Sequence, residues 1–414
     1  MTASEPLKND PWPWLVLPVV LAVLPWLMLI DAPMMVDERV MTYEARKWIG
    51  MDPLSPWTQP VGGSGTWRPL LVYLYWLDAG LSVPLRHALQ LVLHAAFVAL
   101  AWVWLRGLMR PRAALVAACF LALHPAHVAT AGWIGGRADL AMGLCAVAAL
   151  VAAQRERWWS CALAAGAALL FKETGLALLP VLVLLHGPKR ELLPAALLSS
   201  TVFLLSFSLA DPAPGYLPTV AGLLAGLLAG LALFWETLVP WFHPVGMLHL
   251  PRDQAGALLA LVPLGTALLI GFRTAEGRRA LGFLALALLP VLHVLPNDGG
   301  QWYLLLPSLG AAWLWGRILD SSHALKWAWI GLLLTGMAAV WEARAWDRAA
   351  DRVAEIIAVG EDPGPQRPLD WPHRGPSFCC GLPYQVINEA PRGWGPIDET
   401  ALKPAPAPRG RERE

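Results

Sequence analysis

Residues 113–139 read AALVAACFLALHPAHVATAGWIGGRAD. Positions 113–123 carry no polar side chain, and the apolar character resumes after His124-Pro125-Ala126-His127. Arg110 and Arg112 precede the stretch, and Arg137 and Asp139 close it. An apolar run with charges only at its ends is the pattern of a membrane-crossing helix. The pattern repeats in both directions. Further runs fall at 12–30, 84–106, 138–153, 158–175, 176–187, 191–210, 255–272, 279–296, 303–319 and 325–341, about eleven in all. Several are shorter than the ~20 residues of a straight crossing. The stretch 216–240 is also apolar, and it is read as lying in the interface or re-entering instead of crossing.

Composition agrees. The 414 residues are 57% hydrophobic and 15% charged, against about 25% charged in soluble domains. So few charges cannot solvate the surface of one soluble core, and disorder, collagen and a disulfide miniprotein are excluded as well. The chain is read as an all-α polytopic membrane protein. A net charge of +1 provides no field that would draw nucleic acid. Cys119, Cys145 and Cys161 lie inside apolar runs and are read as small core residues; Cys379 and Cys380 are adjacent and define no disulfide framework.

Basic residues sort the loops. Arg106, Arg110, Arg112, Arg155, Arg157, Lys189, Arg190, Arg273, Arg278, Arg279, Arg317 and Lys326 occupy every second connection. Such connections face the cytoplasm. The N-terminus is then cytoplasmic, and the loops 31–83, 132–137, 211–254 and 297–302 and the C-terminal tail lie outside. Residues 1–342 form the transmembrane domain. Within it, 31–83 is a long outer loop whose tryptophans and apolar pieces suit short interfacial helices. Residues 343–414 form a polar tail, helix-compatible to about Gly360 and disordered at its end. The first run is followed by Met34, Met35 and Asp37 with no small-residue cleavage site, so it is read as a retained span.

Where charge is scarce, each charged group on the outer side needs an explanation. Asp37-Glu38 follows the first run and suits a general base or a metal ligand, or a hydrated helix end. Arg68, in Trp-Arg-Pro-Leu, suits a phosphate or snorkels to headgroups. His124 and His127, at i and i+3, share a helical face and could bind metal, phosphate or sugar. Arg137 and Asp139 open the next run, the one as an anion ligand, the other as a helix-dipole partner. Lys172-Glu173 interrupts the apolar stretch 158–187 as an adjacent ion pair that demands a role or a partner. Tyr303 sits in an aromatic belt or presents its hydroxyl to a headgroup.

Taken in order, the acidic pair at 37–38, Trp-Arg-Pro-Leu at 67–70, His-Pro-x-His at 124–127, Gly-Arg-Ala-Asp at 136–139, Lys-Glu at 172–173 and Tyr-x-x-x-Pro-Ser at 303–308 resemble the GT-C class membrane glycosyltransferases. The resemblance is closest to the transmembrane and tetratricopeptide-repeat O-mannosyltransferases and their bacterial relatives, within the dolichyl-phosphate-mannose protein mannosyltransferase superfamily. It covers about residues 30–350. It implies a GT-C-like bundle that takes a sugar from a polyprenyl-phosphate donor and transfers it, with inversion, to a hydroxyl of a protein, glycan or lipid acceptor. The implied place is a bacterial inner membrane, with the reaction on the periplasmic face. Carried over, Asp37 is the base, with Glu38 beside it. Arg68, Arg137 and Lys172 face the donor phosphate, and His124, His127, Asp139, Glu173 and Tyr303 shape the pocket. A divalent cation held by Asp37, Glu38 and a histidine stays open as a cofactor. The chain departs from the pattern at Ala129, where the family often has Glu, and at Trp302, where it often has Arg. The tetratricopeptide array is not seen in the tail, so acceptor recognition differs or needs a partner. A transporter of lipid-linked saccharide and an inactive envelope scaffold are the alternative readings.

Overall fold

The computed structural model describes residues 13–32, 52–60, 65–210, 271–292, 301–320 and 328–359, with scattered positions between 41 and 50 and between 227 and 269. Every regular element of more than one residue among them is helical. The α-helices are α1 (Pro13–Leu21), α2 (Pro69–Asp78), α3 (Val83–Arg106), α4 (Pro111–Ala122), α5 (Arg137–Gln154), α6 (Trp158–Phe171), α7 (Leu178–His186), α8 (Leu193–Leu209), α9 (Ala275–Leu288), α10 (Leu305–Asp320) and α11 (Ala328–Val359). Proline stands in the first two positions of α2, α3, α4 and α8, where its missing N–H costs nothing and its fixed φ starts the helix. Gly187, at φ 75°, ends α7 in a conformation that side chains resist.

Among the described residues, α3, the segment Ile134–Gln154 that contains α5, and the segment Arg190–Leu209 that contains α8 are long and apolar enough to cross a membrane. A fourth crossing arises if the bent pair Pro111–Ala122 and Pro125–Gly132 counts as one. The chain reads as an integral multi-pass membrane protein on these helices. Most of the eleven runs appear as shorter pieces, and proline is the reason in two cases. Pro125 cannot continue the hydrogen-bond ladder of α4, and the run 113–131 bends there by 50°. The run 12–30 divides into α1 and a 3-10 helix, Leu24–Leu29, that opens with Pro25 at its second position. The runs 216–240 and 255–272 lie largely outside the described residues.

α5 is the centre, packed on α3 and α6, while α6 packs on α8 and α4 on α10. α5 is built from Ala, Gly, Leu and Val, and small residues let neighbours approach closely. Gly143 faces Phe97 and Leu305, and Gly310 lies against the α9 backbone. α8, by contrast, buries Ala195, Ser199 and Val202 and exposes Leu197, Leu204, Leu205 and Phe207.

The ends of the bundle differ in charge. At one end, the Gln154 amide donates to Trp104 O at 3.2 Å, Arg110 meets Asp320 at 3.6 Å and Arg317 meets Glu276 at 3.9 Å. Arg106, Arg155, Arg157, Lys189 and Arg190 lie in the connections at this end. The turns 123–136 and 172–177 and the helix α2 lie at the other end. At position 342 the composition changes but the backbone does not: α11 runs through it without a break. At 32 residues this helix is about 48 Å long, well beyond the ~30 Å of a hydrocarbon core. It ends at Val359.

Candidate functional site

Six charged side chains interlock at the end opposite the basic connections. Arg68, the residue preceding α2, donates from Nε and Nη2 to the two carboxylate oxygens of Glu173 at 2.9 and 2.6 Å. Lys172 Nζ donates to both oxygens of Asp139 at 2.7 and 2.6 Å. Arg137 Nη1 donates to Asp78 Oδ2. Since 68 and 78 bracket α2, 137 and 139 share the first turn of α5, and 172 and 173 are neighbours, the three pairs close a circuit through three elements. Lys172 and Glu173 therefore do not pair with each other, as the sequence suggests; each reaches a different helix. The extended backbone at Lys172 (φ −160°, ψ 137°) ends α6 and turns the two side chains to opposite partners.

The three pairs differ in burial. Arg137 and Asp78 are 0% and 1% exposed, Lys172 and Asp139 both 5%, and Arg68 and Glu173 16% and 38%. Every nitrogen of Arg137 is engaged: besides Nη1 on Asp78, Nε reaches Gln90 Oε1 at 3.1 Å and Nη2 reaches Arg86 O at 3.4 Å, and the guanidinium lies 5.2 Å from the Tyr75 ring. Among the described residues, Asp78 Oδ1 has no hydrogen-bond partner. The Lys172 ammonium lies 4.5 Å from the centre of the Tyr303 ring. Burial works against the charge on Arg68, but Glu173 outweighs it and holds the guanidinium firmly protonated. Asp139 stands in the first turn of α5, yet its carboxylate serves Lys172 and caps no backbone N–H.

The histidines form a separate, deeper group. His124 and His127 do not share an α-helical face: α4 ends at Ala122, and Pro125–His127 is a single 3-10 turn. Their rings nevertheless lie 5.3 Å apart. A carbonyl only accepts, so His94 Nδ1 donates to Ala22 O at 2.8 Å. His94 Nε2 then accepts from His127 Nδ1 at 3.0 Å, and His127 Nε2 lies 2.8 Å from Ser308 Oγ, whose single proton is shared between this nitrogen and Leu305 O at 2.7 Å. The relay joins α1, α3, the 3-10 turn and α10. His124 Nε2 donates to Thr237 O at 3.2 Å. Among the described residues, no three His, Cys, Asp or Glu side chains are grouped as for a metal ion.

The structure thus brings Arg68, Asp139, Lys172, Glu173 and Tyr303 together. It places Arg137 behind them against Asp78, and His124 and His127 in their own cluster. Asp37 and Glu38 lie outside the described residues, as do Cys379 and Cys380. Cys119 and Cys161 are buried in the core and Cys145 is packed against it. Asp78, Arg86, Gln90, His94 and Ser308 are additions that the sequence reading did not assign a role. A signal existed: Arg86, Gln90 and His94 recur every fourth residue within an apolar run, which marks one polar face of a buried helix.

No family model matches the chain. Part of it is similar to a curated transferase. Over 137 residues it is 36% identical to protein O-mannosyl-transferase Tmtc1 of Drosophila melanogaster. The match takes in 30% of this chain and 16% of that protein, so the chain spans about a sixth of the relative's length.

Proposed function

We propose that this protein is a membrane glycosyltransferase that moves a sugar from a polyprenyl-phosphate donor to a hydroxyl acceptor on the non-cytoplasmic side. The observation that carries the reading is the convergence of Arg68, Asp139, Lys172, Glu173 and Tyr303, drawn from four distant stretches of sequence, at the end of an apolar bundle away from its basic connections. The partial similarity to a protein O-mannosyl-transferase supports the same class.

Asp37 is the base in this reading. The chain enters and leaves its segment at fixed points: His87 Nε2 donates to Ala32 O at 3.0 Å, and Arg86 Nη1 donates to Thr42 Oγ1 at 2.9 Å. Both anchors sit on the first turn of α3, next to Arg137. Asp37 is five residues from either anchor, a reach of at most about 18 Å. The Asp37 carboxylate takes the proton of the acceptor hydroxyl. The freed oxygen attacks the anomeric carbon, and the bond from that carbon to the phosphate oxygen breaks. A single displacement of this kind inverts the anomeric centre. The electron pair leaves with the polyprenyl phosphate, whose charge a guanidinium stabilises.

The test is transfer by the purified protein from a polyprenyl-phosphate sugar, read by mass spectrometry as a one-hexose gain on the acceptor. Asp37→Asn is expected to abolish transfer and to leave folding and donor binding intact. A fully active Asp37→Asn protein would falsify the base assignment.

A further inference from the structure

The three cations that the motifs offer to a phosphate are not equivalent in the folded protein. All three nitrogens of Arg137 are engaged and its side chain is sealed at 0% exposure. Lys172 spends its ammonium on both oxygens of Asp139 and on the Tyr303 ring, and its side chain is 5% exposed. Arg68 is different. A guanidinium carries five N–H groups in a planar array, enough for two forks. Glu173 occupies the side fork, from Nε and Nη2. The end fork, made of Nη1 and the second Nη2 proton, has no protein partner among the described residues.

The root of Arg68 is fixed as well. Its carbonyl accepts from Leu71 and Val72 at the start of α2, at 3.1 and 3.3 Å. Trp67 beside it is buried against Leu169 and Val202 and donates to Trp57 O at 3.2 Å. A guanidinium tethered at its base and gripped along one edge can point its other edge in few directions. Little side-chain entropy is then left to lose when an anion arrives.

We infer that Arg68 meets the phosphate of the lipid-linked ligand through its end fork, and that Glu173 is the positioning residue that aims it. This rests on the polyprenyl-phosphate reading above. It divides the labour among the motif cations: Arg137 and Lys172 hold α2, α5 and the 172–177 turn in register, and Arg68 touches the ligand. The ligand is a phosphate ester on a polyprenyl chain. A bidentate fork suits two oxygens of such a group, and an ammonium in its place would offer only a point charge.

The experiment is a binding titration of the full-length protein in detergent with undecaprenyl phosphate, with undecaprenol and inorganic phosphate as separate arms. Wild type is expected to bind undecaprenyl phosphate at least tenfold more tightly than either comparison. Arg68→Lys keeps the charge and loses the fork, and is expected to weaken binding by about tenfold. Glu173→Gln is expected to weaken it several-fold, with Glu173→Asp recovering part of the loss, and to raise KM for the donor more than it lowers kcat. A folded Glu173→Gln protein that binds as tightly as wild type, or more tightly, overturns the positioning role. Unchanged binding by Arg68→Lys overturns the fork, whether or not Glu173→Gln folds. Inorganic phosphate binding as tightly as the lipid overturns the ligand class. Binding that follows these expectations in a protein that never transfers sugar would retire the glycosyltransferase reading and leave this inference standing.

Discussion

Removing the Asp78 carboxylate is the sharpest probe of the buried circuit. Asp78 and Arg137 are 1% and 0% exposed, and the Arg137 charge has no other carboxylate among its hydrogen-bond partners. Asp78→Ala leaves a guanidinium out of water with only Gln90, a backbone carbonyl and the Tyr75 ring for company. Breaking a buried pair from one side costs about 3–5 kcal/mol. At about 1 °C per kcal/mol in a chain of this size, the melting temperature should fall by about 3–6 °C. The double variant Asp78→Ala/Arg137→Met removes both charges and fills much of the space. It should return to within about 1 kcal/mol of wild type, because an apolar replacement avoids the desolvation of both ions. Thermal unfolding of the detergent-solubilised protein, followed by tryptophan fluorescence, measures all three. If Asp78→Ala melts within a degree or two of wild type, Arg137 has access to water and the closed circuit is wrong.

Other outcomes follow from single contacts. Ser308→Ala strips His127 Nε2 of its hydroxyl partner in a dry interior and should cost about 1–3 kcal/mol in the same unfolding assay. Gly136→Ala would drive a methyl into the Ala129 carbonyl oxygen and to 2.9 Å from Thr130 Cα. Backbone cannot step aside as a side chain can, so a loss of about 2 kcal/mol or more is expected. Gly107→Ala serves as its control: the added methyl meets only the Gln154 side chain, which can rotate away, and the cost should stay under about 1 kcal/mol.

Lys172 and Glu173 are neighbours in the chain but not partners in the fold. Two adjacent opposite charges in an apolar stretch invite the reading of a local pair, since sequence displays neighbours along the chain. The partners come instead from positions 33 and 105 residues away. The same holds for Arg137, whose carboxylate stands in α2 at Asp78. The i, i+3 spacing of His124 and His127 suggests one helical face, but Pro125 ends the α-helix. The two rings meet through a 3-10 turn and are tied to different elements, Thr237 and the His94–Ser308 relay.

By itself, the sequence determined the solvent and the suspects. The transfer free energy of apolar side chains acts residue by residue, so long runs with charged ends mean helices in lipid whatever their order in space. The rarity of charge in those runs points to Arg68, Arg137, Asp139, Lys172 and Glu173 without any coordinates. Only the tertiary structure decided what each charge does. Pairing energy depends on distance and local dielectric, both set by how α2, α5 and the turn after α6 pack. Packing seals Arg137 against Asp78, rests Lys172 on Asp139 and Tyr303, and leaves one edge of the Arg68 guanidinium without a protein partner among the described residues.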